Sequence, residues 1–192
     1  MTVQFRPPVT ALAIAASLSM GALGVVPPSH ADSPSPLFAL VDAAAQRLQT
    51  AEPVAAVKYR TGGAVDDPQR EQQVIDSVTA AAAARHIDTG YVRDIFRNQM
   101  DATNAIEHAR FADWKLDPSA APAAAPDLSA SRATIDQLNR AIINEIAAQW
   151  DSLHSPSCGV DLENAKIAVI ATRQLDDLYQ RALTYATHSY CR

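Results

Sequence analysis

Five side chains carry types and spacings suited to gripping an anion. Lys58 follows Arg47 by eleven residues. That is close to three helical turns, so the two cations can share one helix face. Thr103 and Glu107 are one turn apart and share another face. Arg70 falls in the first turn behind Asp67-Pro68. Faces of this kind, turned inward, build a pocket with several cations, which suits carboxylates through charge-assisted hydrogen bonds. Taken singly, each base reads as an ordinary solvated helix residue, its surface ion pair worth about 0–1 kcal/mol. Lysine is scarce, however: only Lys58, Lys115 and Lys166 occur. No Ser/His/Asp triad, phosphate loop or Cys/His ligand spacing offers a different chemistry, and no metal site is expected. His86 reads as a helix-end residue, while His108, His154 and His188 show no partner pattern.

The elements that must position these residues read as helices. The chain has 192 residues, 48% hydrophobic and 19% charged, with six glycines. Two of those, Gly21 and Gly24, lie in an apolar N-terminal run. The rest are too few for the turns of a β-sandwich or barrel. A formal charge of −5 argues against a nucleic-acid partner, which calls for a basic surplus. The prolines leave 69–117, 127–155 and 157–192 clear. Proline costs about 3 kcal/mol inside a helix, so these windows suit helices. Leu37, Leu40, Val41, Ala44 and Leu48 recur at helical spacing, and this first helix can run on to Lys58 with a kink at Pro53. Asp67-Pro68 starts a second helix, to about Arg85, and Asp88 caps a third through Phe111. Residues 117–127, rich in Pro and Ala, form an extended connector. A fourth helix is expected over 129–155. The predicted class is all-α, a bundle of about six helices in one domain. Residues 37–116 form its first half and 128–192 its second.

Residues 9–26 are an apolar run behind Arg6, ended by Pro27-Pro28 and followed by Ser29-His30-Ala31. The run is long enough for a membrane anchor. The small residues at 29 and 31 favour a secretory signal over 1–31, cleaved near Ala31. Residues 32–192 would then be the mature chain, secreted or in the cell envelope, without stable membrane association. In an oxidising compartment Cys158 and Cys191 most simply form one disulfide, with free thiols or an intermolecular bridge as alternatives. One straight helix between them would hold them roughly 45–50 Å apart at 1.5 Å per residue. An internal bridge therefore requires a break, expected near Thr172–Asp177 with Asp176 capping a new helix. A helix continuous through residue 174 would exclude it.

Arg47, Lys58, Asp67-x-x-Arg70-Glu71, Arg85-His86-Ile87-Asp88-x-x-Tyr91-Val92-x-x-Ile95-Phe96 and Thr103-x-x-x-Glu107 follow in an order and spacing that resembles the all-helical chorismate mutases. The likeness is close over residues 37–110. The signal segment, the second helical half and the cysteine pair resemble the exported subclass of that family. The resemblance implies a Claisen rearrangement of chorismate to prephenate, part of the chemistry of phenylalanine and tyrosine biosynthesis. It is a unimolecular step without nucleophile, proton transfer or cofactor. It implies carboxylate binding by Arg47, Arg70 and Arg132, with Thr103 touching a carboxylate. Lys58 and Glu107 would face the ether oxygen, and catalytic weight falls on Lys58, Glu107 and Arg47. Glu107 must be protonated to donate there; burial would raise its pKa and the nearby cations would lower it. Glu71 would meet the ring hydroxyl, with Gln73 or Val74 as alternative lining residues. In the family one arginine can come from a partner subunit; here Arg132 would supply it from the same chain. A homodimer is expected on the same basis. A secreted helical-bundle binding protein without catalysis is the rival reading.

Overall fold

The computed structural model describes residues 1–2, 35–124 and 127–192; the apolar N-terminal run and the expected cleavage site near Ala31 lie outside them. Every regular element among the described residues is helical. The order is α1 (Phe38–Gln49), α2 (Ala51–Thr61), α3 (Pro68–Ala83), α4 (Thr89–Leu116), a 3₁₀ turn (Pro118–Ala120), α5 (Leu128–Ala148), α6 (Trp150–Leu153), α7 (Cys158–Arg173) and α8 (Asp177–Thr187). The predicted all-α fold is found.

α1 lies at the centre. Leu40, Val41, Ala44 and Leu48 are fully buried, as is Ala45, and Ala43 is nearly so. The helix packs against α4, α5, α7 and α8. Small alanines allow neighbours to approach on several faces at once. The long α4 is the second organiser, packed on α2, α3 and α8. Its core face carries Tyr91, Val92, Ile95, Phe96 and Ile106.

The start signals act as expected. The Asp67 carboxylate accepts from the Arg70 N–H at 3.0 Å, that of Asp88 from Tyr91 N–H at 2.6 Å, and that of Asp176 from Tyr179 N–H at 2.9 Å. Each satisfies an amide that the first helical turn leaves unpaired. His86, at φ 58, sits in the sharp turn between α3 and α4 and is exposed. Gly62 ends α2 at φ 69, a left-handed conformation that costs glycine nothing.

Two expected boundaries are corrected. The break in the first helix falls at Thr50, not at Pro53. Pro53 instead lies in the first turn of α2, where its missing N–H would have had no intrahelical partner. The fourth helix stops at Ala148 rather than 155, and a separate turn of helix, α6, follows Gln149. These interruptions divide the expected six helices into eight segments. α7 ends at Arg173, and Gln174 takes a left-handed φ of 51, so the chain folds back as α8. Cys158 and Cys191 then meet as a disulfide, their Cα atoms 5.6 Å apart.

Candidate active site

One cavity between α1, α2, α3, α4 and the start of α5 collects the seven residues expected to bind substrate. Arg47, Lys58, Arg70, Glu71, Thr103, Glu107 and Arg132 all line it. Its empty space is about 620 Å³ when the open mouth and the solvent in it are included. Val54, Val65, Val74, Met100, Leu128 and Ile135 supply its apolar walls. Val74, not Gln73, joins Glu71 in the lining; Gln73 faces the neighbouring cleft between α3 and α5. One helical residue separates the two directions, which spacing alone left open.

The two faces read from the sequence converge at the cavity. Lys58 Nζ donates to Glu107 Oε2 at 2.8 Å and to the Val65 carbonyl at 2.6 Å. The loop beyond Gly62 brings that carbonyl back over α2, so the ammonium is held from two sides. Glu107 is 3% exposed. Burial raises its pKa and prevails over the Lys58 hydrogen bond and charge and over His108, all of which lower it; Asp66 adds to the rise. The competition between burial and cations is thus resolved in favour of burial.

Arg47 is 4% exposed although it is a cation. Its Nε donates to Asn139 Oδ1 at 2.8 Å, and its Nη1 to Thr103 Oγ1 at 3.2 Å and the Gln99 carbonyl at 3.5 Å. Burial lowers its pKa to about 10, which still leaves it charged at neutral pH. Thr103 is fixed in turn by donating to the Gln99 carbonyl at 2.7 Å. Arg70 Nη2 pairs with Asp136 Oδ1 of α5 at 2.9 Å. Asn104 Nδ2 donates to Glu71 Oε1 at 2.8 Å. Arg132 is exposed at the rim.

Asn139, Asp136, Asn104 and Gln99 were missed in the sequence. Their helical register relative to site residues was available: Asp136 and Asn139 stand one and two turns beyond Arg132 on α5. What spacing lacks is the packing of α5 on α1 and α3, which decides whom that stripe meets.

The arrangement is a half-buried box with cations on several walls, one protonatable carboxyl beside a lysine, and apolar sides. It can bind a compact, oxygen-rich anion at more than one carboxylate and stabilise negative charge that develops on an oxygen between them.

Residues 38–108 match the family described as chorismate mutase type II. The chain is 62% identical over 179 residues to a secreted chorismate mutase of Mycolicibacterium smegmatis, covering 92% of this chain and 99% of the relative. It is 47% identical over 183 residues to a secreted chorismate mutase of Mycobacterium tuberculosis, covering 95% and 92%. Among solved structures it resembles a chorismate mutase from Burkholderia phymatum, with a TM-score of 0.78, 28% identity, and coverage of 82% of this chain and 97% of that one.

Proposed function

This chain belongs to the type II chorismate mutase family; it is an isomerase that rearranges chorismate to prephenate, and we propose that it does so in the cavity holding Arg47, Lys58 and Glu107. The observation that carries this assignment is the convergence of all seven residues on one cavity. The step breaks one ether C–O bond and forms one C–C bond within a single molecule. Catalysis therefore consists of folding the enolpyruvyl arm over the ring and stabilising charge as the bond breaks.

The guanidinium forks of Arg47, Arg70 and Arg132 hold the two carboxylates, with Thr103 on one of them. Lys58 donates to the ether oxygen, its direction fixed by Val65 and Glu107. Glu107 donates to the same oxygen when protonated, and its burial favours that form. Glu71, steadied by Asn104, takes the ring hydroxyl beside the apolar Val74.

The relatives' names support export of this chain too; cleavage near Ala31 is proposed on the small residues at 29 and 31, and Asp32 is then the expected first residue of the mature protein. We propose a homodimer, to be read by light scattering. For the activity, purified mature chain is incubated with chorismate and its disappearance followed. Wild type consumes chorismate, and Lys58→Ala slows the reaction at least about a hundred-fold, the scale of losing one transition-state donor. No turnover by wild type rejects the assignment in favour of a non-catalytic binding protein.

A further inference from the structure

α5 carries three polar residues spaced by about one turn each: Arg132 lines the cavity, while Asp136 and Asn139 line the neighbouring cleft and reach the cavity's arginines from there. The last two hold the two arginines that α1 and α3 contribute, and they hold them differently. Asp136 pairs with Arg70 as an ion pair at 2.9 Å, partly in water. Asn139, 6% exposed, takes Arg47 through a neutral amide oxygen at 2.8 Å.

The chemistry of that second contact is unusual. A buried guanidinium commonly sits against a carboxylate, because desolvation of the cation is repaid by its partner. Among the described residues no carboxylate oxygen lies within 4.0 Å of Arg47; its hydrogen-bond acceptors are an amide, a backbone carbonyl and a hydroxyl. The Phe96 ring, with its centroid 6.0 Å from Arg47 Cζ, adds no neutralising charge. Nε and Nη1 are engaged, and Nη2 has no protein partner among the described residues. The guanidinium is thus held through Nε and Nη1 with no carboxylate in contact; Asp136, already paired with Arg70, and Tyr190 favour its charge only from further away, and Nη2 is unengaged among the described residues.

We propose that Asn139 is the positioning residue for Arg47, orienting its guanidinium without neutralising it, so that the substrate carboxylate becomes the missing counter-ion. This rests on the chorismate mutase reading of the cavity. An aspartate at 139 would hold Nε equally well but would supply the counter-ion itself. The protein would gain a buried pair, and the substrate would lose a cation that has no carboxylate in contact.

The test compares Asn139→Asp and Asn139→Ala with wild type, measuring kcat and KM for chorismate together with thermal melting. Asn139→Asp raises KM at least about ten-fold, leaves kcat within about three-fold, and melts no lower than wild type. Asn139→Ala raises KM less than Asn139→Asp does, because it frees the guanidinium without neutralising it. A purely structural asparagine would not separate KM from melting temperature in this way. A KM for Asn139→Asp within about two-fold of wild type, or below that of Asn139→Ala, overturns the proposal. Should Asn139→Asp fail to fold, Asn139→Ala decides: a KM within about two-fold of wild type overturns it, and a rise of about five-fold or more at unchanged melting supports it. A wild type that does not turn over chorismate fails the chorismate mutase reading itself. A working wild type with unchanged variants sinks only the role of Asn139.

Discussion

Glu107 is the residue whose chemistry depends most on its surroundings. Its carboxyl is nearly sealed from water, and burial holds its pKa above the ordinary carboxylate value despite Lys58 at 2.8 Å. Only the protonated form donates to an ether oxygen. As pH rises through the raised pKa that donor is lost, so kcat/KM falls, and Glu107→Gln, a donor at every pH, flattens the profile. A wild-type profile that is level or climbs with pH contradicts this role. Stability follows the same sign: a carboxyl with a raised folded-state pKa contributes fully at low pH, and that contribution fades as pH rises through the folded value. Sequence spacing placed Lys58 and Glu107 on their faces. It could not rank burial against cation, because burial comes from Val65 and the surrounding walls, which arrive from a loop and from other helices. The same limit hid Asn139 and Asn104, whose roles exist only once two helices have packed.

The hairpin of α7 and α8 is the element on which the distant reading went furthest. Distance along a helix demanded a break, and Asp176 marked where the next helix could start. The structure ends α7 at Arg173 and places Gln174 in the left-handed region. Caps were legible because a carboxylate three residues before an orphan amide acts locally. The break at Thr50 was not, since Pro53 is compatible with either a kinked helix interior or a first turn, and α1 packing decides between them. The disulfide closes a loop of sequence separation 33 at the open end of this hairpin. Next to it, the Tyr190 carbonyl accepts from Tyr91 of α4 at 2.5 Å, tying the staple to the long helix. Replacing both Cys158 and Cys191 by Ser frees that loop in the unfolded chain and is expected to cost about 3–4 kcal/mol in urea unfolding. A loss below about 1 kcal/mol would show that packing of α8 on α4 already holds the C-terminus without the staple.

At the scale of the whole molecule, a chain of net charge −5 builds a pocket for a dianion. The two facts are compatible because screening confines exposed charges to about a Debye length, roughly 10 Å at 0.1 M salt, whereas buried Arg47 acts at contact. The same scale decides who completes the pocket. Arg132 reaches the cavity from α5 of the chain that supplies Arg47, Lys58 and Arg70, so a single chain holds the full set of cations. That separates catalysis from assembly and can be tested by complementation. Lys58→Ala and Arg132→Ala chains, each inactive alone, are unfolded together and refolded into mixed assemblies. If a partner supplied the arginine, mixed dimers would carry one intact pocket each, and about a quarter of wild-type activity would return. With the pocket built by one chain, every protomer in the mixture lacks either its lysine or its arginine. The mixture then stays as inactive as its components, at any protein concentration.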